Sequence, residues 1–340
     1  MLTKNLKNGL WQIVIISSAP LRISFCGGGT DYKNFFQKYG GGVIGAAIDK
    51  KVYVFINPLS KFSDEKIRFT YRITESVDEI DSLNHPVVRA ALRELEISEK
   101  INIATMADVP GNSGLGSSSA FTVALIGGLV RFKGLTLTLE EIVGLAYKIE
   151  REILNEPGGI QDFLHATYGS LRFYGMSEHD EIDNICVSSP GLKLLLENRT
   201  ALIRIGESRE SAIQAKVTDN AKNIPRSLDA LRRNLNLALE TRDRIIDSSD
   251  PEYQYSLLVH AVHENWQTKK IFQPTDSSLE VERIESILLP HGLKAMKLCG
   301  AGSSGFLLTL FEESVPTDWI DSATLLQFKL EDAGLEVKEI

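Results

Sequence analysis

The feature that most constrains this chain is a glycine- and serine-rich loop joined directly to an apolar helix, in the stretch DVPGNSGLGSSSAFTVALIGGLVRF (108–132). Gly111, Gly114 and Gly116 allow the backbone to approach a ligand closely and to adopt a positive φ. The predicted helix is apolar on all sides, which is typical of a core helix. Because its unpaired N–H groups and the positive end of its dipole point at the loop, the stretch predicts a phosphate-binding site.

This loop differs from the familiar P-loop in having no lysine. The P-loop pattern places a lysine directly after the second glycine, whereas Ser117, Ser118 and Ser119 follow Gly116 here. Backbone N–H donors and the helix dipole can hold a di- or triphosphate without a lysine, and a serine hydroxyl can add a donor or a magnesium ligand. The alternative interpretation is a Gly/Ser linker or a simple serine N-cap.

Composition excludes several functional classes. The 340 residues are 43% hydrophobic and 24% charged, as in soluble globular proteins, and are enough for two domains. A formal net charge of -8 argues against a large nucleic-acid-binding surface but not against a small anionic substrate. The three cysteines form no C-x-x-C pair, and we expect neither a signal peptide nor a membrane-spanning helix. We therefore expect a cytoplasmic protein.

Local patterns predict alternating strands and helices. The clearest helix covers residues 138–156, where Thr138 and Glu141 form a capping box and an apolar stripe follows. The second half alternates long helices with strands and closes on a strand, a glycine turn and a second strand. We place a domain boundary near residue 190, which gives domains 1–190 and 191–340.

Two further loops are rich in glycine. The first, APLRISFCGGGTDYKNFF, contains Arg22, three consecutive glycines and Asp31. Three glycines in a row favour a backbone held against a polyhydroxylated ligand, with Asp31 accepting hydrogen bonds from its hydroxyls; alternatively, Asp31 caps the next helix. The third loop, CGAGSSGF, equally predicts a tight hairpin.

Together, the segments PLRISFCGGGTDY, PGNSGLGSSSA and KLCGAGSSGF resemble the three motifs of the GHMP kinases, which phosphorylate sugars, homoserine, mevalonate and phosphomevalonate. The resemblance extends from Ala19 to Leu308. Within this superfamily, APLRISFCGGGTDY, GGGVIGAAIDKKVYV and GIQDFLHATYGSLRFY look most like the D-glycero-D-manno-heptose 7-phosphate kinases. Galactokinase carries Glu-His in its first motif where Gly28 and Gly29 stand here.

The resemblance implies an α+β, two-domain GHMP-kinase fold. It combines an N-terminal ribosomal-S5-like α/β domain with a C-terminal ferredoxin-like α+β domain, and the active site lies in the cleft between them. It also implies ATP and Mg²⁺ as cofactors, a sugar phosphate as substrate, no nucleic-acid or membrane partner, and a possible homodimer.

The family's functional residues can be carried over by position in the motifs. Asp162 is then the catalytic carboxylate that accepts the sugar hydroxyl proton, and Arg22 is the cation beside it. Ser118 and Glu150 are the implied magnesium ligands. The implied ATP-binding residues are Pro110, Gly111, Gly114, Leu115, Gly116, Ser117, Ser118, Ser119 and Gly302. The implied substrate-binding residues are Gly28, Gly29, Thr30 and Asp31.

Helical spacing supports the role of Glu150 independently. Val143, Tyr147 and Leu154 share its helix face, so we expect this carboxylate to be half buried and to need a partner. A metal ion is one such partner. A surface glutamate paired with Arg151 or Lys148 is the alternative.

The third motif departs from the family's glycine-rich form, because serines stand at positions 303 and 304. If those positions need a positive φ, each serine costs on the order of 1 kcal/mol or more. We expect the double change Ser303→Gly with Ser304→Gly to leave activity unchanged or to raise it.

The substrate's own phosphate would need cations, and the sequence does not choose among several. The candidates are Lys50, Lys51, Arg68, Arg72, Arg89 and Lys269. A kinase for another sugar, such as fucose, is the nearest rival. A non-catalytic sugar or nucleotide sensor is a rival of another class, whereas a Rossmann dinucleotide enzyme is excluded because no loop shows its G-x-G-x-x-G pattern in context.

Overall fold

The computed structural model describes residues 13–111, 113–206, 225–272, 278–300 and 305–340. The strands are β1 (Ile15–Cys26), β2 (Gly41–Pro58), β3 (Ile67–Thr70), β4 (Thr74–Val77), β5 (Ile101–Ala107), β6 (Leu171–Met176), β7 (Ile182–Cys186), β8 (Thr200–Ile205), β9 (Leu293–Leu298), β10 (Gly305–Phe311), β11 (Leu325–Leu326) and β12 (Glu336–Glu339). The helices are α1 (Lys33–Tyr39), α2 (Pro86–Glu94), α3 (Ser117–Phe132), α4 (Leu139–Tyr147), α5 (Gln161–Tyr168), α6 (Pro190–Arg199), α7 (Pro225–Ile246), α8 (Pro251–Phe272) and α9 (Ser278–Leu288), and the π-helical segment Lys148–Ile153 continues α4.

The described strands form two sheets. The first runs in the order β12-β1-β2-β5-β3-β4, with β6 on β2 and β7 on β6. The second is four-stranded, in the order β11-β8-β10-β9. Among these strand pairs only β3 and β5 run parallel. Mixed helices and mostly antiparallel sheets agree with the α+β class predicted from the sequence.

Strand β1 is longer than predicted. From the sequence, WQIVIISS and PLRISF each predict a short strand, but one strand runs from Ile15 to Cys26 and pairs with β2. The pairing register shifts between Pro20 and Leu21. Since proline has no N–H to donate to the ladder, an irregularity is expected at this point.

Helix α3 is the central core helix, as predicted. Most of its residues from Ser119 to Val130 are buried, and it packs against β1 and β2 on one side and α4 and α5 on the other. It begins after Gly116, which adopts a left-handed conformation with φ of 78°. The loop preceding α3 therefore leads straight from the surface into the core.

The last strand returns to the first sheet. Strand β12 pairs antiparallel with β1, with Ile15 opposite Glu339. Two passages of the chain therefore connect the two sheets, and the boundary near residue 190 stays a prediction. None of the described helices is long and apolar enough to cross a bilayer.

Candidate active site

A cavity of about 460 Å³ lies where the two sheets' helices and loops meet. From the first part of the chain it is lined by Arg22, Gly28, Gly29, Asp31, Gly114, Gly116, Ser117, Ser118, Ser119, Glu150 and Asp162. From the second part it is lined by Asn265, Lys269, Lys297 and Gly300. The structure thus brings most of the residues singled out by the motifs to one cavity.

Arg22 and Asp162 form an ion pair at the wall of this cavity. Arg22 lies on β1, and its Nε donates to Oδ1 of Asp162 over 2.7 Å. Its Nη1 donates to the carbonyl of Gly114 over 2.6 Å. The Asp162 side chain, in the first turn of α5, keeps 22% of its surface exposed. The carboxylate is therefore both oriented by the arginine and open to a ligand.

The start of α3 lies directly against this ion pair. A Cβ on Gly116 would stand 3.3 Å from Cγ of Arg22 and 3.5 Å from Oδ2 of Asp162. The N-terminus of α3 therefore presents its unpaired N–H groups and its positive dipole end beside the carboxylate. A phosphate held by that helix start would lie next to a hydroxyl held by Asp162.

Asp31 is fully buried at the start of α5, the helix that carries Asp162. Its Oδ1 accepts from the N–H of Gly29 over 2.9 Å, and its Oδ2 accepts from the N–H of Gln161 over 3.2 Å. Burial raises the pKa of Asp31, and the nearby charge of Asp162 raises it further. The N-cap of α1 is Tyr32, so the alternative in which Asp31 caps that helix is wrong. Its carboxylate instead accepts a hydrogen bond from the backbone N–H of Gln161, the first residue of α5.

Glu150 is more deeply buried than the sequence predicts, with 2% of its surface exposed. Burial raises its pKa, while Arg151 and the hydroxyl of Thr122 oppose that shift. Nη1 of Arg151 donates to Oε2 over 3.0 Å, and Thr122 donates to Oε1. Lys148 pairs with Glu94 instead. The alternative pairing with Arg151 is thus present, but for a buried carboxylate rather than a surface one.

The surroundings of Glu150 suit a hard cation. Oγ1 of Thr122 lies within hydrogen-bonding distance of both the Glu150 carboxylate and the carbonyl oxygen of Ser118, at 3.1 Å from the latter. Glu150 therefore adjoins the first turn of α3. Among the described residues no cluster of three His, Cys, Asp or Glu could hold a metal alone. One carboxylate and one hydroxyl fit Mg²⁺, which usually takes its remaining ligands from phosphates and water.

Three predicted ATP-binding residues lie away from the main cavity. Pro110 and Gly111 line a smaller cavity of about 190 Å³, next to Arg204 and Phe306. The Leu115 side chain is fully buried, and its carbonyl accepts from the N–H of Arg22. Leu115 contributes to the position of the arginine through its backbone.

Thr30, predicted to bind substrate, is fully buried within the first glycine loop. Its Oγ1 lies 2.8 Å from the carbonyl of Gly27 and 3.0 Å from that of Gly42. The hydroxyl therefore holds the loop against β2. A role of Thr30 in substrate binding would be indirect, through the shape of the loop.

The middle and third glycine loops touch backbone to backbone. A Cβ on Gly300 would lie 2.6 Å from Cα of Gly114, and a Cβ on Gly114 would lie 2.7 Å from the carbonyl oxygen of Cys299. Only glycines allow this approach, which joins the two halves of the site. Gly302, Ser303 and Ser304 lie outside the described residues.

Two buried asparagines were missed by sequence reasoning. Oδ1 of Asn234, on α7, accepts from the N–H of Gly27 over 3.1 Å, and its Nδ2 donates to the carbonyl of Gly28 over 2.8 Å. Asn265, on α8, donates to the same Oδ1 of Asn234. Both residues support the first glycine loop from the second half of the chain. Their only sequence signal is a polar residue on an apolar helix face.

Comparisons with known proteins agree with this geometry. Residues 84–170 match the GHMP kinases N terminal domain. The D-glycero-alpha-D-manno-heptose 7-phosphate kinase of Campylobacter jejuni is 29% identical over 86% of this chain and 88% of its own length. A mevalonate kinase of Thermococcus sibiricus is 25% identical over 88% of this chain and 90% of its own length.

A solved structure shows the same fold. The crystal structure of a D-glycero-D-manno-heptose 1-phosphate kinase from Bacteriodes thetaiotaomicron superposes with a TM-score of 0.74 at 21% identity, covering 96% of this chain and 99% of that one. The α+β, two-domain architecture expected from the motifs is confirmed. The chain contains a GHMP kinases N terminal domain at residues 84–170, and it is a phosphotransferase that acts on an alcohol group.

Proposed function

We propose that this protein transfers the γ-phosphoryl group of ATP to the anomeric hydroxyl of D-glycero-D-manno-heptose 7-phosphate, giving the 1,7-bisphosphate. The observation that carries the proposal is the Arg22–Asp162 pair, with its 2.7 Å hydrogen bond, lying against the N-terminus of α3. The pair supports the proposal because a carboxylate that could accept a proton lies beside a helix start that could bind a phosphate. The choice of sugar is supported by the similarity to the Campylobacter jejuni enzyme.

The nucleotide phosphates would bind at the middle loop. Ser117, Ser118 and Ser119, the first residues of α3, line the cavity there. Such a helix start binds anions without a lysine. Since phosphoryl transfer requires mostly positioning and charge neutralisation, oriented donors can supply much of the catalysis.

A magnesium ion would be held by Ser118 and Glu150. When bound there with the nucleotide, it would supply the positive charge that a P-loop lysine supplies elsewhere. Thr122 and Arg151 hold the Glu150 carboxylate in place through hydrogen bonds. Arg151 is already one charged partner of the buried Glu150, and a magnesium ion would be a second.

Asp162 would accept the proton of the anomeric hydroxyl. The hydroxyl oxygen forms a bond to the γ-phosphorus, the bond from that phosphorus to the bridging oxygen breaks, and ADP leaves. An anomeric hydroxyl is more acidic than an ordinary alcohol, so a carboxylate is a suitable base for it. Arg22 would keep the carboxylate oriented, and the first glycine loop, with Gly28, Gly29 and Asp31, would bind sugar hydroxyls.

An ADP-release assay with ATP, magnesium and a panel of sugars tests this function. The panel comprises heptose 7-phosphate, unphosphorylated heptose, mannose, fucose and galactose. We expect strong turnover with the 7-phosphate alone. Turnover with a free sugar would keep the kinase chemistry and overturn the substrate. ATP binding without turnover on any sugar would favour a non-catalytic sensor.

A further inference from the structure

Two buried lysines reach the cavity from the second half of the chain. Lys269 lies on α8 and Lys297 on β9, and they are 6% and 4% exposed. Both line the cavity that contains Asp162. Lys297 was not among the cations considered from the sequence. Six cations were candidates for binding the phosphate of the substrate, and all six lie in described segments. Among them, Lys269 is the one that lines this cavity.

None of the other five candidate cations lines this cavity. Two of them are paired at other sites, Lys51 with Glu331 and Glu336 and Arg68 with Glu65. A ligand in the cavity would therefore contact two lysine side chains, Lys269 and Lys297.

Neither lysine has an anionic partner within the described part of the chain. Nζ of Lys269 donates to the carbonyls of Leu298 over 2.8 Å and of Gly300 over 2.6 Å. Nζ of Lys297 donates to the carbonyl of Phe25 over 3.1 Å and to Oδ1 of Asn265 over 2.6 Å. All four acceptors are neutral. An ammonium group has three donors, so each lysine retains one N–H for a ligand.

A positive charge without an opposite partner is costly at these buried positions. Burial lowers the pKa of Lys269 to about 7 and the pKa of Lys297 to about 8. Lys297 and Arg22 lower the pKa of Lys269 further, and Arg22 lowers that of Lys297, while Cys299 opposes both shifts. A buried charge is stabilised by an opposite charge. The cavity wall formed by these lysines therefore favours an anionic ligand.

The hydrogen bonds of Lys297 place this wall on the acceptor side of the cavity. Through Asn265 and Asn234 the lysine connects to the backbone of Gly27 and Gly28. These residues belong to the first glycine loop, which would bind the sugar in the proposed function. In the proposed function the nucleotide phosphates would bind a separate set of groups, namely the first turn of α3 and a magnesium ion held by Glu150.

From this arrangement we infer that Lys269 and Lys297 together bind the phosphate group of a phosphorylated acceptor sugar. The inference rests on the proposed function, and it adds the feature that separates a sugar phosphate from a free sugar. Under this inference, residues of α8 and β9 select a sugar phosphate over a free sugar, and residues of β1, α3 and α5 carry out phosphoryl transfer.

Steady-state kinetics of Lys269→Met test the inference, with Lys270→Met as a matched control. Lys270 is the next residue of α8, is exposed, and lies over the Trp266 ring. We expect Lys269→Met to lower the ratio of kcat/KM for heptose 7-phosphate over heptose by about 10- to 100-fold, the loss typical of a hydrogen bond to a charged group. Lys297→Met should act in the same direction, and Lys270→Met should leave the ratio unchanged. A rise in KM for ATP without a change in that ratio would overturn the inference.

A binding measurement separates failure of the inference from failure of the proposed substrate. Sulfate is added to wild type and Lys269→Met with ADP and magnesium already saturating, and the shift in Tm is recorded. We expect sulfate to stabilise the wild type and to stabilise Lys269→Met much less. If Lys269→Met loses the shift in Tm, the result supports an anion site at this lysine. If heptose 7-phosphate is also found not to be a substrate, only the proposed sugar is excluded. Equal shifts in both proteins would overturn the inference.

Discussion

Nε of Arg22 lies 2.7 Å from Oδ1 of Asp162, although the two residues are 140 positions apart in the sequence. The contact joins β1 to the first turn of α5 and leaves the carboxylate partly open to the cavity. It is formed by the first motif and by the segment GIQD, which the family resemblance singled out separately. The position of the proposed proton acceptor thus depends on a long-range ion pair.

Replacing the carboxylate should remove catalysis and leave nucleotide binding intact. We expect Asp162→Ala to lower kcat by about 10² to 10⁴-fold, the range for loss of a general base. Affinity for ATP, measured by calorimetry, should stay near that of wild type, because α3 and its loop are unchanged. Asp64→Ala, at an exposed loop position, is the control. Near-normal turnover of Asp162→Ala would exclude this residue from the mechanism.

Glu150→Gln should raise the magnesium concentration needed for half-maximal activity by about tenfold or more, because the amide keeps the shape but loses the charge. The measurement is a magnesium titration of kcat at saturating ATP. Glu152→Gln serves as control, since Glu152 is exposed and pairs with Lys33 at the surface. Identical magnesium dependence of the two variants would argue against Glu150 as a ligand.

Gly116→Ala should reduce activity because the new methyl group would contact Arg22, in addition to its effect on stability. Gly116 and Gly134 both have positive φ, 78° and 71°, so alanine costs about 1 to 2 kcal/mol of stability at either site. A Cβ at Gly116 would press on Arg22, whereas a Cβ at Gly134 would meet nothing within 4 Å. We therefore expect similar losses in Tm but at least a tenfold lower kcat/KM for Gly116→Ala alone. Equal kinetics in both variants would contradict this.

His165 should make the folded protein sensitive to acid. Burial lowers its pKa from 6.5 to about 3, with Arg22 and Arg172 adding to the shift. Between pH 6.5 and about 3, His165 binds a proton in the unfolded chain but not in the folded chain. The free energy of unfolding therefore decreases as the pH falls through this window, by up to about 1.4 kcal/mol per pH unit from this residue.

Urea denaturation of His165→Leu across that pH window checks the contribution. Neither ring nitrogen has a hydrogen-bond partner among the described residues, so an apolar replacement leaves no donor unpaired. We expect the stability of His165→Leu to depend less steeply on pH than that of wild type. The opposing contributions of Asp31 and Glu150, whose pKa values are raised, are present in both proteins and cancel in the difference. His179→Leu, at an exposed position, should retain the wild-type slope; parallel curves for wild type and His165→Leu would disprove the assignment.

Local patterns predicted the parts of the site that a short segment determines. The capping box at Thr138 and Glu141 forms as expected, and α3 follows its loop without a break. Periodicity and turn chemistry act over a few residues, so they can be read directly from the sequence.

Long-range packing could not be predicted in the same way. Asn234 and Lys297 reach the first glycine loop from helices and strands more distant in the chain, and no motif marks them. The extra burial of Glu150 arises because Thr122 of α3 covers it. Such contacts depend on how elements dock, which a single sequence without tertiary information leaves open.

The pairing of β12 with β1 has a consequence for biosynthesis. A ribosome delivers β1 among the first segments of this chain and β12 only after the whole second sheet has been made. During translation one edge of the first sheet therefore lacks its neighbour, and an exposed strand edge can pair with other nascent chains. The nascent protein is expected to be most prone to aggregation just before residues 336–339 leave the exit tunnel.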